Sequence, residues 1–552
     1  MKKFISVFVL IIMLLYLSAC SSTNNSNETV SNETASNEGN DYEVTAAGAD
    51  SIIVFEDPLV EQSVRNTLNK KDGEITAADM QSITKLEIEG NKVKTGDFQY
   101  LTNLTYLDLS SCFLFSYNNI LALKNLEYLD LSHSDMVDTD FVNCGELPRL
   151  TTLKLGDNYT INDFSFISKY NNLTELDVSN NDISDISFIK DLSKITALNL
   201  SGLTISDFGF LKDLPNLVSL DVSNIEINDF SFLEGLPNLS TLNLSNTRIT
   251  DTDCKVIESL SKLNKLNLSD NNNITNIYFV RNLKDLQILN LKNNNINDIS
   301  SLKNLTNLET LNIACNQISD LSSIASLYNL CELDFSFNNV SNIDQLEKLT
   351  TLKSLSFDMN NQITDISVLE DINQIEVINL SVNYIDDYSP IAKLSNLKKL
   401  TAFGLNDLSL LSDLNNLTEL HLSNCSISDL NQIKGLKNLT VLDLQSNSIS
   451  DISPLSELIN LSDLNLEDNN ISDISALKNL VNLTLLSLEN NNISEVTGLL
   501  NLINLDELQL GGNKITDVTP LVKLQNTFID LYENPVVDWS PLDGMNFYGK
   551  PD

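Results

Sequence analysis

A leucine ladder repeats about every 22 residues along this chain, from Ile83 to Leu524. The first apolar residue of each unit is position one, and it occurs twenty times at this spacing. One unit of this length cannot bury its own apolar face, so successive units must stack into a solenoid. A solenoid presents a long surface to ligands. In one unit the regular positions are Leu439, Leu442, Leu444, Asn447, Ile449, Asp451 and Leu455.

Positions one to six of each unit predict a short β-strand. The order Leu-x-x-Leu-x-Leu alternates apolar and polar residues, which is typical of a strand with one buried face. The twenty strands would form one parallel sheet, and at a spacing of about 4.8 Å it would be roughly 90–100 Å long. Side chains at positions three, five and seven would point away from the leucines, onto what we call the open face.

The ladder resembles the leucine-rich-repeat family, specifically its 22-residue class found in bacterial internalins. The resemblance implies an α/β solenoid shaped as a curved horseshoe, with a parallel sheet on the concave face and short helical or 3-10 turns on the convex face. Residues 47–82 resemble the helical cap that precedes such repeats, and Asp57-Pro58 predicts the start of its first helix. Residues 83–526 then hold about twenty repeats, and residues 527–552 are predicted to form a C-terminal cap.

Two polar columns along the ladder have structural explanations. Position nine is most often Asn, whose amide can bond the backbone groups of adjacent turns in a buried loop. Position thirteen is most often Asp, whose carboxylate can accept free N–H groups where a convex turn begins. The cysteines after residue 20 show no metal-binding spacing and predict no disulfide framework, so buried structural roles are expected for Cys112, Cys144, Cys254, Cys315, Cys331 and Cys425.

The first nineteen residues resemble the signal peptide of bacterial lipoproteins. Lys2 and Lys3 precede an apolar run, Phe4 to Leu17, that is short for a membrane span. The run ends on Leu17-Ser18-Ala19-Cys20, which resembles a lipobox. The resemblance implies cleavage before Cys20, a diacylglycerol on its thiol, and a bacterial protein anchored to the outside of the cell membrane. The alternative is an ordinary secretory signal with a chance Cys.

Charge and composition exclude several classes of function. Residues 20–46 are polar and poor in apolar side chains, which predicts a disordered acidic tether. Of the 34 basic residues, Lys2 and Lys3 leave with the signal peptide, so 32 remain against 75 acidic residues, a formal charge of −43. This balance excludes nucleic-acid binding through a basic face and argues against docking on anionic lipid. The sequence contains no enzyme, cofactor or metal motif, so neither catalysis nor a cofactor is expected.

Departures from the repeat supply the candidate binding residues. Position eight is apolar in four consecutive units, at Cys315, Phe337, Met359 and Val382, with Val377 adjacent on the open face. Exposed apolar strips of this kind tend to be interaction sites. The alternative is sequence drift, with these side chains folded inward.

Three further features join these candidates. The unit Leu397–Asn416 has 20 residues, and Phe403-Gly404 replaces its Asn turn. Tyr106 and Tyr128 occupy position three of neighbouring units. From Leu417 onward the open face carries acids and no base, which suits a basic partner or serves only the solubility of a long protein. These acids are Glu419, Asp443, Asp463, Glu467, Glu489 and Glu507.

Two classes of function remain open from the sequence. The first is a monomeric surface adhesin or receptor-like module that binds a protein, with a basic surface as one option, or a glycan. The second is a structural protein of the cell envelope that makes cell-wall or community contacts without one specific ligand.

Overall fold

A computed structural model describes residues 48–550, except residues 91, 138–139, 141–145 and 361. The chain divides into two compact units, Met1–Gly48 and Ala49–Asp552. The signal peptide, Cys20 and the tether predicted from the sequence lie outside the described residues. The fold and the candidate site below belong to Ala49–Asp552.

Two helices cap the start of the repeats, as the resemblance implied. Helix α1, Pro58–Thr67, begins at Asp57, whose carboxylate accepts a hydrogen bond from Leu59 N–H at 2.8 Å. Helix α2, Ala77–Ser82, begins at Thr76 with a reciprocal capping box. A third helix, α3 (Asn118–Leu121), has a single turn. Among the described residues, no helix is long and apolar enough to cross a membrane.

A single parallel sheet of 22 strands follows the ladder and confirms the leucine-rich-repeat solenoid. Neighbouring strands pair in register, so Leu442 lies beside Leu464 in the next repeat. The last two strands extend the sheet beyond the repeats counted from the sequence. The strands are Lys85–Glu87, Tyr106–Asp108, Tyr128–Asp130, Thr152–Lys154, Glu175–Asp177, Ala197–Asn199, Ser219–Asp221, Thr241–Asn243, Lys265–Asn267, Ile288–Asn290, Thr310–Asn312, Glu332–Asp334, Ser354–Ser356, Val377–Asn379, Lys399–Thr401, Glu419–His421, Val441–Asp443, Asp463–Asn465, Leu485–Ser487, Glu507–Gln509, Phe528–Asp530 and Phe547–Tyr548. A separate two-stranded ladder joins Lys92–Val93 to Phe113–Leu114.

Short 3-10 turns form the convex side in most repeats, and the Asp column precedes them as predicted. Asp185 accepts a hydrogen bond from Ser187 N–H at 2.8 Å, and this bond lowers the pKa of Asp185. Asp251 differs, because it accepts the N–H groups of Thr275 and Asn276 in the next repeat. The turns are Gly96–Tyr100, Ser165–Lys169, Ser187–Asp191, Gly209–Asp213, Ser231–Gly235, Asp253–Ser259, Tyr278–Asn282, Ser300–Asn304, Ser322–Ser326, Asp344–Lys348, Ser367–Glu370, Ser389–Lys393, Leu408–Leu411, Ser453–Glu457, Ser475–Asn479, Thr497–Leu499, Thr519–Lys523 and Ser540–Leu542.

The asparagine column closes the core between strand and turn. Asn469 Nδ2 donates to the carbonyls of Leu444, Leu466 and Glu467 at 3.0, 3.1 and 3.0 Å. Its Oδ1 accepts Ile449 N–H at 2.9 Å. One buried amide therefore satisfies four backbone groups from two repeats, which confirms the structural role predicted for this column.

The cysteines that the structure describes are all free. Cys112, Cys254 and Cys425 are buried, as expected, whereas Cys315 and Cys331 are partly exposed. Cys425 occupies position nine, and its thiol lies 3.5 Å from the carbonyl of Ala402 in the preceding repeat. In other repeats the Asn at position nine donates a hydrogen bond to the equivalent carbonyl, as Asn469 does to Leu444. Cys144 lies outside the described residues.

Candidate ligand-binding surface

The position-five carboxylates on the open face are tied to their own backbone. Asp443 Oδ1 accepts Gln445 N–H, two residues further on, at 3.0 Å. Asp443, predicted from the sequence as an open-face acid that suits a basic partner, therefore also has a local structural cause. The frequent Asp and Asn at position five is the signal that was missed. The same bond forms at Asp108, Asp130, Asp177, Asp221 and Asp334.

Position eight has a left-handed backbone along most of the array. The φ angle is +56° at Asn424 and +86° at Gly404. Glycine and asparagine adopt this conformation more easily than other residues, because most side chains clash with the backbone there. The polar residues and glycines at position eight therefore indicate a left-handed backbone, which was not predicted from the sequence.

Four consecutive repeats place apolar side chains in this left-handed conformation. The φ angles of Cys315, Phe337, Met359 and Val382 are +54°, +54°, +56° and +51°. The conformation costs a residue with a Cβ roughly 1–2 kcal/mol, and a β-branched valine is a true outlier there. We call these four residues the strained column. The strand ladder holds the backbone in place, since Phe337 N–H donates to the Asp358 carbonyl at 2.9 Å.

The strained column is only partly exposed. Phe337, Val382 and the neighbouring Val377 are half-buried, whereas Met359 is 5% exposed. Met359 therefore contributes packing, and the surface of the column belongs to Cys315, Phe337 and Val382. The sequence left open whether these side chains are exposed or folded inward. In the structure, part of the column folds inward and part reaches the surface.

The strand ladder continues through the short repeat, Leu397–Asn416, but a regular backbone bond beyond the strand is missing beside Val382. In a regular repeat the N–H of position eight donates to the position-seven carbonyl of the next repeat, as Ser446 does to Glu467 at 2.9 Å. Between residues 362 and 550, which the structure describes without a gap, neither Val382 nor Gly404 makes this bond. The backbone hydrogen bond of position eight is therefore missing on both sides of the short repeat.

A cavity of about 350 Å³ opens on the open face at the short repeat. Ala402 occupies position six, where the other repeats carry Leu, Ile, Val or Phe. The Ala402 side chain is 2% exposed because position six faces the core, so the space on the open face lies beside the two missing backbone bonds of position eight. Phe403 is 37% exposed at the rim. We call this space the short-repeat cavity, and its lining residues are Ser381, Lys399, Thr401, Ala402, Phe403, His421, Ser423 and Asp443.

Lys399, in the lining of the short-repeat cavity, forms an ion pair with a glutamate outside that lining. Lys399 Nζ lies 2.6 Å from Glu419 Oε2, and this contact lowers the pKa of Glu419. His421 stands between two carboxylates, with Nε2 3.9 Å from Glu419 and Nδ1 3.9 Å from Asp443. Because Lys399 already neutralises Glu419, Asp443 is the carboxylate of this cavity that has only His421 beside it as a base.

Asp443 stays ionised although it is largely shielded from water. Burial acts to raise the pKa of Asp443, but contacts with His421, Gln445 N–H and Ser423 outweigh burial and leave the pKa lowered. The Ser423 hydroxyl donates to Asp443 Oδ2 at 2.8 Å.

The acidic stretch predicted after Leu417 separates into two kinds of carboxylate. Asp443 lines the cavity, Glu419 is paired with Lys399, and Glu507 accepts a hydrogen bond from Gln509 Nε2 at 2.8 Å. The other three have raised pKa values, caused first by burial and then by the repulsion of neighbouring acids. They are Asp463, Glu467 and Glu489.

The two tyrosines proposed from the sequence do meet, but their ring faces are covered. Tyr106 and Tyr128 stack with centroids 4.1 Å apart and planes 6° from parallel. Lys85 lies over Tyr106 at 4.5 Å and Lys154 lies over Tyr128 at 5.4 Å. The stack therefore has no free aromatic face for a ligand, and only ring edges remain available.

Two family models, both of leucine-rich repeats, match several parts of the chain. A family model described as "Leucine Rich repeats (2 copies)" matches residues 284–326, 328–371, 415–457 and 437–479. A second, "Leucine Rich repeat", matches residues 171–187 and 235–257. Residues 372–414, which include most of the short repeat, fall between two of these segments. A search of curated proteins gave no match.

Three solved structures are similar to this chain, and the first of them supports the same fold. A leucine-rich-repeat protein of Leptospira interrogans is 25% identical, with a TM-score of 0.53, over 66% of this chain and 92% of that protein. The plant peptide hormone receptor RGFR1, solved in complex with RGF2, is 19% identical with a TM-score of 0.48, over 86% of this chain and 88% of the receptor. An internalin of Listeria monocytogenes is 23% identical with a TM-score of 0.28, over 88% of this chain and 96% of the internalin.

Proposed function

We propose that this leucine-rich-repeat solenoid is a lipid-anchored binding protein of a bacterial cell surface, which holds a protein partner on its open face. The leucine-rich-repeat fold is generally a scaffold for protein–protein interaction. The observation that carries the proposal is the strained column, where four consecutive repeats tolerate unfavourable backbone conformations beside a cavity. Strain of this kind is often found where a site has a function beyond folding.

The partner would lie across the strained column and the short repeat. Phe337 and Val382 supply half-buried apolar surface next to the charged lining of the short-repeat cavity. An apolar centre with a polar surround is typical of protein interfaces. The stacked tyrosines offer less, because their ring faces are occupied.

Consensus-restoring substitutions separate binding from folding in the test of this proposal. The variant Phe337→Asn with Val382→Asn places at position eight the residue found at Asn424, which favours the left-handed conformation. This variant is expected to fold at least as well as the parent and to lose the partner. Ser446→Asn makes the same kind of change outside the strained column and should retain the partner.

The measurement uses the full-length protein in detergent, immobilised and incubated with extracts of candidate host cells or with purified cell wall. Saturable capture of a protein that the double variant loses supports the proposal. Binding to cell wall alone, equal for the parent and the double variant, would favour the structural envelope protein instead.

The lipid anchor is tested separately. We expect a clickable palmitate analogue, fed to bacteria that express the protein, to label the parent chain and not the Cys20→Ala variant. Equal labelling of both chains, or of neither, would contradict the lipobox interpretation.

A further inference from the structure

We infer that the short-repeat cavity binds an arginine side chain of the protein partner. The inference rests on the proposed function and names the chemistry of one contact within it. This cavity brings the exposed ring of Phe403 together with the carboxylate of Asp443, which has His421 beside it and, among the described residues, no lysine or arginine in an ion pair with it.

The lining suits a side chain that is apolar along its length and cationic at its tip. Phe403 provides the apolar wall, and Asp443 provides a carboxylate in the same lining. An arginine can bury its methylene stem against such a wall while its guanidinium reaches the acid. A purely apolar side chain would leave Asp443 shielded from water without a cation.

Asp443 has room to accept further hydrogen bonds. A carboxylate offers about four acceptor sites, and Asp443 uses one for Gln445 N–H and one for the Ser423 hydroxyl. A guanidinium donates two parallel bonds to a carboxylate and also stacks on an aromatic ring. Phe403, with 37% of its surface exposed, offers that ring at the rim of the cavity. A lysine could pair with Asp443 but could not make the planar contact.

His421 fits a binding role better than a folding role. Its Nε2 is buried and has no hydrogen-bond partner in the structure, and such an atom weakens a fold. At the same position two repeats further on, Asn465 accepts the N–H of Glu467 at 3.0 Å. Among the described residues, the His421 ring accepts no such bond from the backbone of its own turn. An asparagine would therefore serve the turn better, and the imidazole instead forms a wall beside Asp443.

The two histidines of the chain make a direct test possible. We would label histidine with ¹³C in the full-length protein in detergent and follow the imidazole signals of His421 and His133 by NMR. The probe is N-acetyl-L-arginine amide. The His421 signal should shift saturably, whereas His133, which lies in another repeat, should not move. The citrulline analogue has nearly the same shape without the charge and should give no shift, and the lysine analogue should bind more weakly.

Matched variants decide whether Asp443 is the contact. Asp443→Asn keeps an oxygen for Gln445 N–H but removes the charge, so affinity for the arginine probe should fall about tenfold or more. Asp221→Asn makes the same change at the same repeat position, where Asp221 accepts Ser223 N–H at 2.9 Å, and should leave the affinity unchanged. Phe403→Ala should weaken binding about threefold through loss of the cation–π contact.

Several outcomes would overturn the inference. They are equal shifts with citrulline, full binding by Asp443→Asn, no saturable shift with arginine, or a His421 shift with N-acetylglucosamine oligomers alone. If arginine fails while the strained-column variant still loses its captured partner, the inference is wrong and the proposed function stands. If arginine binds but no partner is captured, the proposed function is the part that fails.

Discussion

The Tyr388 hydroxyl donates a hydrogen bond to the Phe403 carbonyl at 2.6 Å. In a regular repeat that position-seven carbonyl accepts a backbone N–H from the repeat before it. Burial raises the pKa of Tyr388 to about 12, so the hydroxyl keeps its proton at neutral pH and remains a donor. A side chain has thus replaced a main-chain ladder bond at the edge of the short-repeat cavity.

Removing this hydroxyl should destabilise the short repeat. We expect Tyr388→Phe to lower the free energy of unfolding by about 1 kcal/mol, because the Phe403 carbonyl loses its donor. Urea unfolding measures the change, and hydrogen exchange should show faster exchange around Gly404. Tyr384→Phe, at a tyrosine that is 57% exposed, should change stability by less than about 0.5 kcal/mol. Equal effects of the two variants would count against the structural role of Tyr388.

Relieving strain at position eight should stabilise the protein. We expect Val382→Asn to raise the free energy of unfolding by roughly 0.5–1 kcal/mol, since the relief of backbone strain exceeds the loss of a half-buried apolar group. The measurement is the urea midpoint of the purified full-length protein. Ser446→Asn, at the same repeat position with φ +55°, should have little effect. A lower midpoint for Val382→Asn would mean that the valine packs better than its exposure suggests.

Loss of one amide from the asparagine column should be costly. We expect Asn469→Ala to lower the free energy of unfolding by about 3 kcal/mol or more, because several buried backbone groups lose their partner at once. Asn482→Ala is the matched control, since Asn482 donates a single exposed bond to Ile459 at 2.9 Å. That control should cost about 1 kcal/mol or less. Similar losses for both variants in urea unfolding would contradict the role assigned to the column.

Two glutamates should respond to pH with opposite sign. Burial and nearby acids raise the pKa of Glu467, so its ionisation opposes folding at neutral pH, and this cost disappears as the pH falls below about 4.3. We therefore expect Glu467→Gln to raise the urea midpoint at pH 7.5 and to have little effect at pH 3.5.

The control for this prediction is Glu457, whose pKa is lowered chiefly by Lys437. Its contribution to stability is present above the ordinary glutamate pKa of about 4.3 and is lost as the pH falls through the lowered value. Glu457→Gln should therefore lower the midpoint at pH 7.5 and not at low pH. Shifts of the same sign for both variants at pH 7.5 would contradict the assignment.

The periodic columns could be predicted from the sequence because each serves a local need. The leucines bury one face of a strand, the Asn469 type bridges two turns, and the Asp185 type binds the start of a 3-10 turn. Each requirement recurs once per repeat, so spacing alone reveals it. The same logic was available at position five, and only the mixture of Asp and Asn concealed it.

The candidate surface was predictable only in part, because exposure depends on the repeats on either side. Phe337 and Met359 have the same repeat position and nearly the same φ, yet Phe337 is half-buried and Met359 is buried. Tyr106 and Tyr128 were correctly placed side by side, but the lysines that cover them stand one repeat further out on each side.

The sequence by itself determined the solenoid, its helical cap, its columns and the position of its short repeat, since these follow from periodic burial and from breaks in the period. Tertiary structure decided which open-face charges are neutralised and where space opens. Lys399 pairs with Glu419 because strands stack in register, whereas the register partner of Asp443 in the preceding strand is His421 and not a lysine. Those relationships join side chains in different repeats, so they depend on how neighbouring turns are stacked.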